Sequence, residues 1–234
     1  LAGMASLSLR TLKRRPDGLG KERVEPMAQE NSGGLVNQIH ALFNHAGMRK
    51  FWCRIRYPFG AVLLGVLAWL FWQGRIRIEP RWFWIGFGVS MLGEFIKLWC
   101  FAALKKEKVL ACRGPYVLVR NPMYLGRFFI VLGLILLLGK PGVWAVLPYT
   151  VFYWFYMYNR VRREEAKLVG IFGAAYEAYC RHVNRFLPSP RGGNLRNVLY
   201  WDWSLLTGNH GWLNLAALLG AYAVLYLAFA SGLN

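Results

Sequence analysis

The sequence predicts an all-α, polytopic helical membrane protein with about five transmembrane helices. Three observations lead there. Of the 234 residues, 56% are apolar and 16% aromatic, more than an ordinary soluble domain carries. The apolar residues gather into five runs, each near the ~20 residues that cross hydrocarbon. The charge, a formal +18, lies in the segments between those runs, where the positive-inside rule places Lys and Arg.

That distribution also argues against nucleic acid as a partner, since the charge forms no face of its own and no recognition motif accompanies it. The four cysteines, Cys53, Cys100, Cys112 and Cys180, show no CxxC pair. They read as unpaired thiols, neither a disulfide framework nor a metal site.

Residues 1–48 are polar and basic, without sustained periodicity. The piece Met4–Arg15 is basic, Ser-containing and free of acids, as organelle-targeting peptides are; a plain basic tail is the alternative. Such a tail seldom orders alone, so protein partners are expected to hold it. The first apolar run, residues 57–73, follows the cluster Arg49, Lys50, Arg54 and Arg56. The second is 82–104. The third and fourth, 123–138 and 143–158, are joined by a turn at Gly139-Lys140-Pro141-Gly142. At ~1.5 Å per residue these two reach only about 24 Å, so that hairpin is expected to cross a thinned region or stop short. The fifth run is 212–230.

Orientation follows from the cations. The N-terminal flank, the loop 105–122 with Arg127, and the segment 159–211 hold most of the Lys and Arg, against Arg75, Arg77, Arg81 and Lys140 on the other side. The N-terminus is therefore expected inside, with loop 105–122 and segment 159–211 together on the cytosolic or matrix face.

Two inner stretches carry chemistry. In Gly114–Gly126, Gly114-Pro115 signals a turn. Asn121-Pro122 signals a helix start: Asn121 caps with its side-chain oxygen, and Pro122 needs no donor at the first helical position. A helix start offers free N–H groups that suit a carboxylate or phosphate. In the second stretch, residues 160–182, a helical projection puts Leu168, Phe172, Ala175 and Tyr179 on one stripe. Arg163, Lys167, Glu177 and Arg181 lie opposite, and Glu164 and Glu165 fall on the stripe's borders. Pro188 and Pro190 end the segment. Separately, Glu94 lies inside the second run with Lys97 one turn on. That is either a site at membrane depth or an ion pair with Lys97 snorkelling.

Taken together, the stretches resemble the integral-membrane methyltransferases of the isoprenylcysteine carboxyl and phospholipid N-methyltransferase type. Gly114-Pro115-Tyr116 and Arg120-Asn121-Pro122-x-Tyr124-x-Gly126 are similar to that family's RHPxYxG signature. Arg163-Glu164-Glu165, Leu168, Phe172-Gly173, Tyr176, Tyr179 and Arg185-Phe186-Leu187-Pro188 resemble its second motif. The resemblance covers roughly residues 90–190. It implies S-adenosylmethionine as cofactor on the inner face, a membrane lipid or lipidated acceptor, and an integral location in a bacterial inner, mitochondrial or endoplasmic-reticulum membrane. By position it implies Tyr116, Arg120, Asn121, Tyr124, Gly126, Glu165, Tyr176, Tyr179 and Arg185 as cofactor contacts, with Pro188 closing the site. Glu164, Glu165 and Arg120 are its catalytic candidates. The departure is Asn121, where better-known members carry His; Asn cannot titrate near neutral pH.

The domain organisation expected is a tail over 1–48, a transmembrane methyltransferase-like domain over 49–190, and an extension over 191–234 with an additional membrane helix. The competing expectation is an accessory subunit of a larger membrane complex, built on the same fold with its chemistry reduced.

Overall fold

The structure is a computed structural model that describes residues 79–105, 109–188 and 195–230, with residues 54, 58, 62 and 73 singly. The basic tail and nearly all of the first apolar run lie outside the described residues. Within them the chain is helical and holds no strand. The helices are α1 (Pro80–Ala103), α2 (Pro122–Leu136), α3 (Lys140–Phe172), α4 (Ala174–His182), α5 (Leu195–Val198), α6 (Trp203–Gly208) and α7 (Gly211–Ala230). A short 3-10 turn, Gly114–Val117, precedes α2.

Two differences from the sequence-based expectation concern the hairpin. The turn is shorter than four residues. Leu138 and Gly139 N–H groups bond back to Ile135 and Leu136 at 3.1 and 3.0 Å, and α3 already begins at Lys140. Pro141 and Gly142 thus belong to its first turn, where Pro lacks no needed donor. The fourth apolar run and the amphipathic segment are also one helix rather than two. No breaker separates Tyr158 from Arg160, and Asn159 spends its side-chain amide inside the helix, donating to the Phe155 carbonyl at 3.0 Å. At 33 residues, α3 is about 50 Å long, but its second half is charged, so the apolar run itself keeps the length read from the sequence. The break comes at Gly173, whose φ of 54° suits a residue without Cβ.

By length and apolarity α1 qualifies as a membrane span, while α2 is a shorter apolar helix. Residues 196–208 and 211–227 form a helix pair bent by 86° that qualifies only if taken as one broken span.

The chain divides into two compact units. The first contains 89–131 and 161–218, and with them every candidate site residue. Here α1 and α2 meet through glycines. A Cβ on Gly93 would lie 2.7 Å from the Ile130 backbone nitrogen, and one on Gly126 would lie 2.7 Å from the Gly93 carbonyl oxygen. Small residues at such a crossing let backbones approach, as membrane helix pairs favour. Gly126→Ala is therefore expected to destabilise by about 1–3 kcal/mol, as overpacking does. A thermal midpoint in detergent equal to that of the wild type would contradict this.

The C-terminal end of α1 is closed by residues far along the chain. Asn209 donates to the Phe101 and Leu104 carbonyls at 2.9 and 2.8 Å, and the Asp202 N–H reaches the Ala102 carbonyl at 3.1 Å. These contacts satisfy carbonyls that a helix end leaves unpaired. Asp202 also caps α6, accepting from the Ser204 and Leu205 N–H groups at 2.9 and 3.2 Å, as N-cap acids do.

The second unit includes 132–160 and 219–230 together with the start of α1. Its packing is aromatic: Phe83 and Phe87 meet Tyr222 edge-on at 5.9 and 5.2 Å. The Tyr222 hydroxyl donates to the Gly86 carbonyl at 3.0 Å. A cavity of about 230 Å³ between Phe83, Trp84, Phe87, Leu219, Tyr222, Ala223 and Tyr226 belongs to this unit and shares no residue with the candidate site.

Candidate functional site

The candidate residues come from three places: the loop before α2, the second half of α3, and α4 with the chain after it. Glu165 joins all three. Its Oε2 accepts two bonds from Arg185, from Nε at 3.0 Å and from Nη2 at 2.6 Å. Its Oε1 faces Arg120 Nη1 at 3.3 Å and accepts from Asn121 Nδ2 at 3.3 Å. The carboxylate is only 7% exposed. A buried acid at that depth is tolerable because two guanidinium groups and an amide surround it.

This corrects the helical projection. Glu165 lies in the buried face of α3, with Val161 fully buried one turn before it, and not on a border. The projection also carried one stripe through Gly173. The break there resets the phase, and Tyr176, absent from the projected stripe, is buried to 2% exposure.

Glu164, the neighbouring carboxylate, faces elsewhere. It is half-buried and accepts a short 2.6 Å bond from the Tyr124 hydroxyl. The Tyr124 ring in turn lies 5.5 Å beneath the Arg127 guanidinium. Successive helix positions are ~100° apart, so the two acids serve different partners: Glu165 the arginines, Glu164 a tyrosine.

The loop and α4 are tied by further bonds. The Arg120 N–H donates to the Asn184 carbonyl at 2.9 Å. Arg120 Nη1 reaches the Cys180 sulfur at 2.8 Å. The Tyr179 hydroxyl donates to the Tyr116 carbonyl at 2.6 Å, and the rings of Tyr176 and Tyr179 lie 5.9 Å apart. Burial pushes the hydroxyls of Tyr116 and Tyr179 well above the usual tyrosine range, so both are neutral O–H groups at physiological pH.

The structure thus brings together Tyr116, Arg120, Asn121, Tyr124, Glu164, Glu165, Tyr176, Tyr179 and Arg185. Gly126 stands apart from the ion cluster and is pressed against Gly93 and Lys97; Pro188 is exposed beyond Arg185. Asn121 acts as an uncharged donor to Glu165, while its backbone carbonyl accepts from the Tyr124 N–H at 3.3 Å. That duty needs no titratable ring. Sequence reasoning missed Cys180, which carries no spacing signal, and the carbonyl of Asn184, which no side-chain pattern announces.

One group in this cluster has capacity to spare. Arg120 Nε is buried and has no hydrogen-bond partner, and it stands two residues before the start of α2. An unused guanidinium N–H beside a helix N-terminus suits a carboxylate.

Comparison with known proteins agrees with the motifs. Residues 87–170 match the profile of the Isoprenylcysteine carboxyl methyltransferase (ICMT) family. The matched segment is about a third of the chain. It contains the whole first motif and the second as far as Leu168, while Phe172–Pro188 lies past it. A protein of Schizosaccharomyces pombe named Protein-S-isoprenylcysteine O-methyltransferase is 36% identical over 83 residues, 36% of this chain and 34% of that protein. One of Tribolium castaneum with the same name is 30% identical over 86 residues, 37% of this chain and 30% of that protein. The chain therefore spans about a third of the length of the curated relatives it matches. No solved structure matches it significantly. Both relatives carry an enzyme's name, which gives the accessory-subunit reading no support.

Proposed function

We propose that this chain is an S-adenosylmethionine-dependent membrane methyltransferase that esterifies the carboxylate of a prenylated cysteine. The observation that carries the proposal is the Arg120–Glu165–Arg185 cluster, which folds two motifs of one methyltransferase family, distant in sequence, over each other. Five membrane crossings and a cofactor site on the cytosolic or matrix side belong to the same proposal; the charge distribution along the chain supports both.

The residues present fit the cofactor. Arg120 and the start of α2 would hold its methionine carboxylate. The faces of Tyr116, Tyr176 and Tyr179 suit its cation, and Asn121, Tyr124, Gly126, Glu165 and Arg185 would complete the cradle. S-adenosylmethionine, when bound, supplies a methyl group activated by the adjoining sulfonium. The protein's own contribution is alignment and exclusion of water. Glu165 fixes the direction of Arg120, and Tyr179 fixes the loop backbone at Tyr116. A carboxylate acceptor attacks as it stands, so it needs no base. Glu164, held by Tyr124, is then an orienting group. It turns into a proton acceptor only if the acceptor is an amine or hydroxyl.

The test uses the purified chain in detergent with S-adenosylmethionine labelled in its methyl group. N-acetyl-S-farnesylcysteine and phosphatidylethanolamine are offered separately. Ester formation releases labelled methanol on mild alkaline treatment, whereas an N-methyl group stays with the lipid. The expected result is alkali-labile label on the prenylcysteine. Label on the phospholipid alone would replace the acceptor class, and no transfer to either would remove the proposal.

A further inference from the structure

The short helix α6 and the residues around it present apolar surface that packing does not use. Trp203 is 63% exposed and Leu199 68%, and Trp212 and Leu213 at the start of α7 are exposed as well. Trp203 and Trp212 stack at 6.0 Å with their rings nearly parallel, so the two helices share one aromatic face. Beneath it, Leu206 is buried with Leu98, Phe101 and Ala102 of α1. One side of α6 is thus committed to α1, and the other faces away from the protein.

Its depth follows from α1. At 24 residues, α1 is about 36 Å long, more than the ~30 Å hydrocarbon layer, so its ends stand at the edges of that layer. The segment carrying α6 sits level with the C-terminal end, because the Asp202 N–H and the Asn209 amide hold the Ala102, Phe101 and Leu104 carbonyls. From there α7 returns beside α1. Lys97, paired with Glu94 at 2.9 Å, also donates to Asn214 at 3.3 Å, and Leu215 packs against the Leu98 cluster. Residues 196–208 and 211–227 are bent by 86°. With α7 alongside α1, that angle lays the segment of α6 in the membrane plane. The bend is fixed by His210, at φ 59°, and by Gly211, where a Cβ would lie 3.0 Å from the Leu206 carbonyl oxygen.

The same edge is basic. Arg113 and Arg196 are exposed. Helix α5, which carries Arg196, rests on the Gly114–Val117 turn that Arg113 precedes. The Arg113 guanidinium lies 5.1 Å over the ring of Tyr200, which stands between α5 and α6. Tryptophan favours the headgroup boundary of a bilayer, and cations beside it attract anionic lipid.

We propose that α5 and α6 form a platform lying in the headgroup layer and binding anionic phospholipid. Leu199, Trp203, Trp212 and Leu213 reach the acyl boundary, and Arg113 and Arg196 meet the headgroups. This rests on the membrane reading given above. It places the turn that carries Tyr116 directly behind the lipid surface.

The test reconstitutes the full chain into phosphatidylcholine vesicles. A fixed share of the lipid is phosphatidylcholine or phosphatidylserine, brominated either near the headgroup or near the chain end. Subtracting the emission of Trp203→Phe/Trp212→Phe from that of the wild type isolates the two rings, and Trp203→Phe alone repeats the measurement for one. The isolated emission is expected to be quenched more by shallow bromine than by deep bromine. At equal share, the serine lipid is preferred by roughly 5-fold for each cation. Arg113→Gln/Arg196→Gln lowers that preference by about 5-fold or more and leaves the depth unchanged. Quenching of the pair by aqueous iodide instead of lipid puts the platform in water, and stronger quenching by deep bromine makes the bent pair one broken span; either result overturns the proposal. An equal preference in the wild type and the arginine variant overturns the anionic site. If no lipid quenches any of the protein's emission, the membrane reading falls together with the platform, whereas absence of methyl transfer strikes the proposed reaction alone.

Discussion

Arg120→Ala is expected to weaken cofactor binding by about 10- to 100-fold while the protein stays folded. The two halves of that expectation have separate causes. Arg120 carries a buried N–H without a partner, and one charge-assisted hydrogen bond to a carboxylate is worth roughly 1.5–3 kcal/mol. At about 1.4 kcal/mol per factor of ten, its loss weakens binding by about 10- to 100-fold. Folding survives because Glu165 keeps both bonds from Arg185, at 3.0 and 2.6 Å, and the bond from Asn121. Calorimetry with S-adenosylmethionine on the detergent-purified variant decides it. Wild-type affinity would take Arg120 out of the cofactor site.

The second large effect falls on Glu165→Leu, and there stability is the quantity that moves. Without the carboxylate, Arg120 and Arg185 are left as neighbouring cations around an apolar side chain. Removing one partner of a buried ion pair costs about 3–5 kcal/mol. Arg185 is 31% exposed and partly solvated, which places the expected loss near the lower end, about 3 kcal/mol. The thermal midpoint in detergent should fall clearly below that of Glu164→Gln, which disturbs a half-buried acid bonded to Tyr124. Equal midpoints for the two variants would show that the arginine cluster does not hold the loop to α3. Glu165→Gln, which keeps an oxygen acceptor, is expected between them.

These effects were partly legible beforehand. Tyr116, Arg120, Asn121, Tyr124, Glu165, Tyr179 and Arg185 stand in two short motifs, and the structure gathers them within one unit. The pair Glu94–Lys97 was visible as an i,i+3 spacing. The partition of work between Glu164 and Glu165 depends on which partners the fold brings to each side of α3, which a projection does not contain. The projection fails separately at Gly173, whose φ of 54° breaks the helix and turns Tyr176 inward. The close approach of α1 at Gly126, which a Cβ would block, has no local sign either. The role of Asn214 had no local sign, since Lys97 and Asn214 are brought together only by packing.

By itself, then, the sequence determined helical character, the order of the apolar runs and the two motifs of the central segment. Those depend on composition and short-range spacing, which a linear chain displays. Only the tertiary structure decided which carboxylate neutralises the arginines, which nitrogen of Arg120 stays unused, and that α7 reaches Lys97. Hydrogen-bond partners separated by dozens of residues are chosen by distance and direction in three dimensions, and the chain's order records neither.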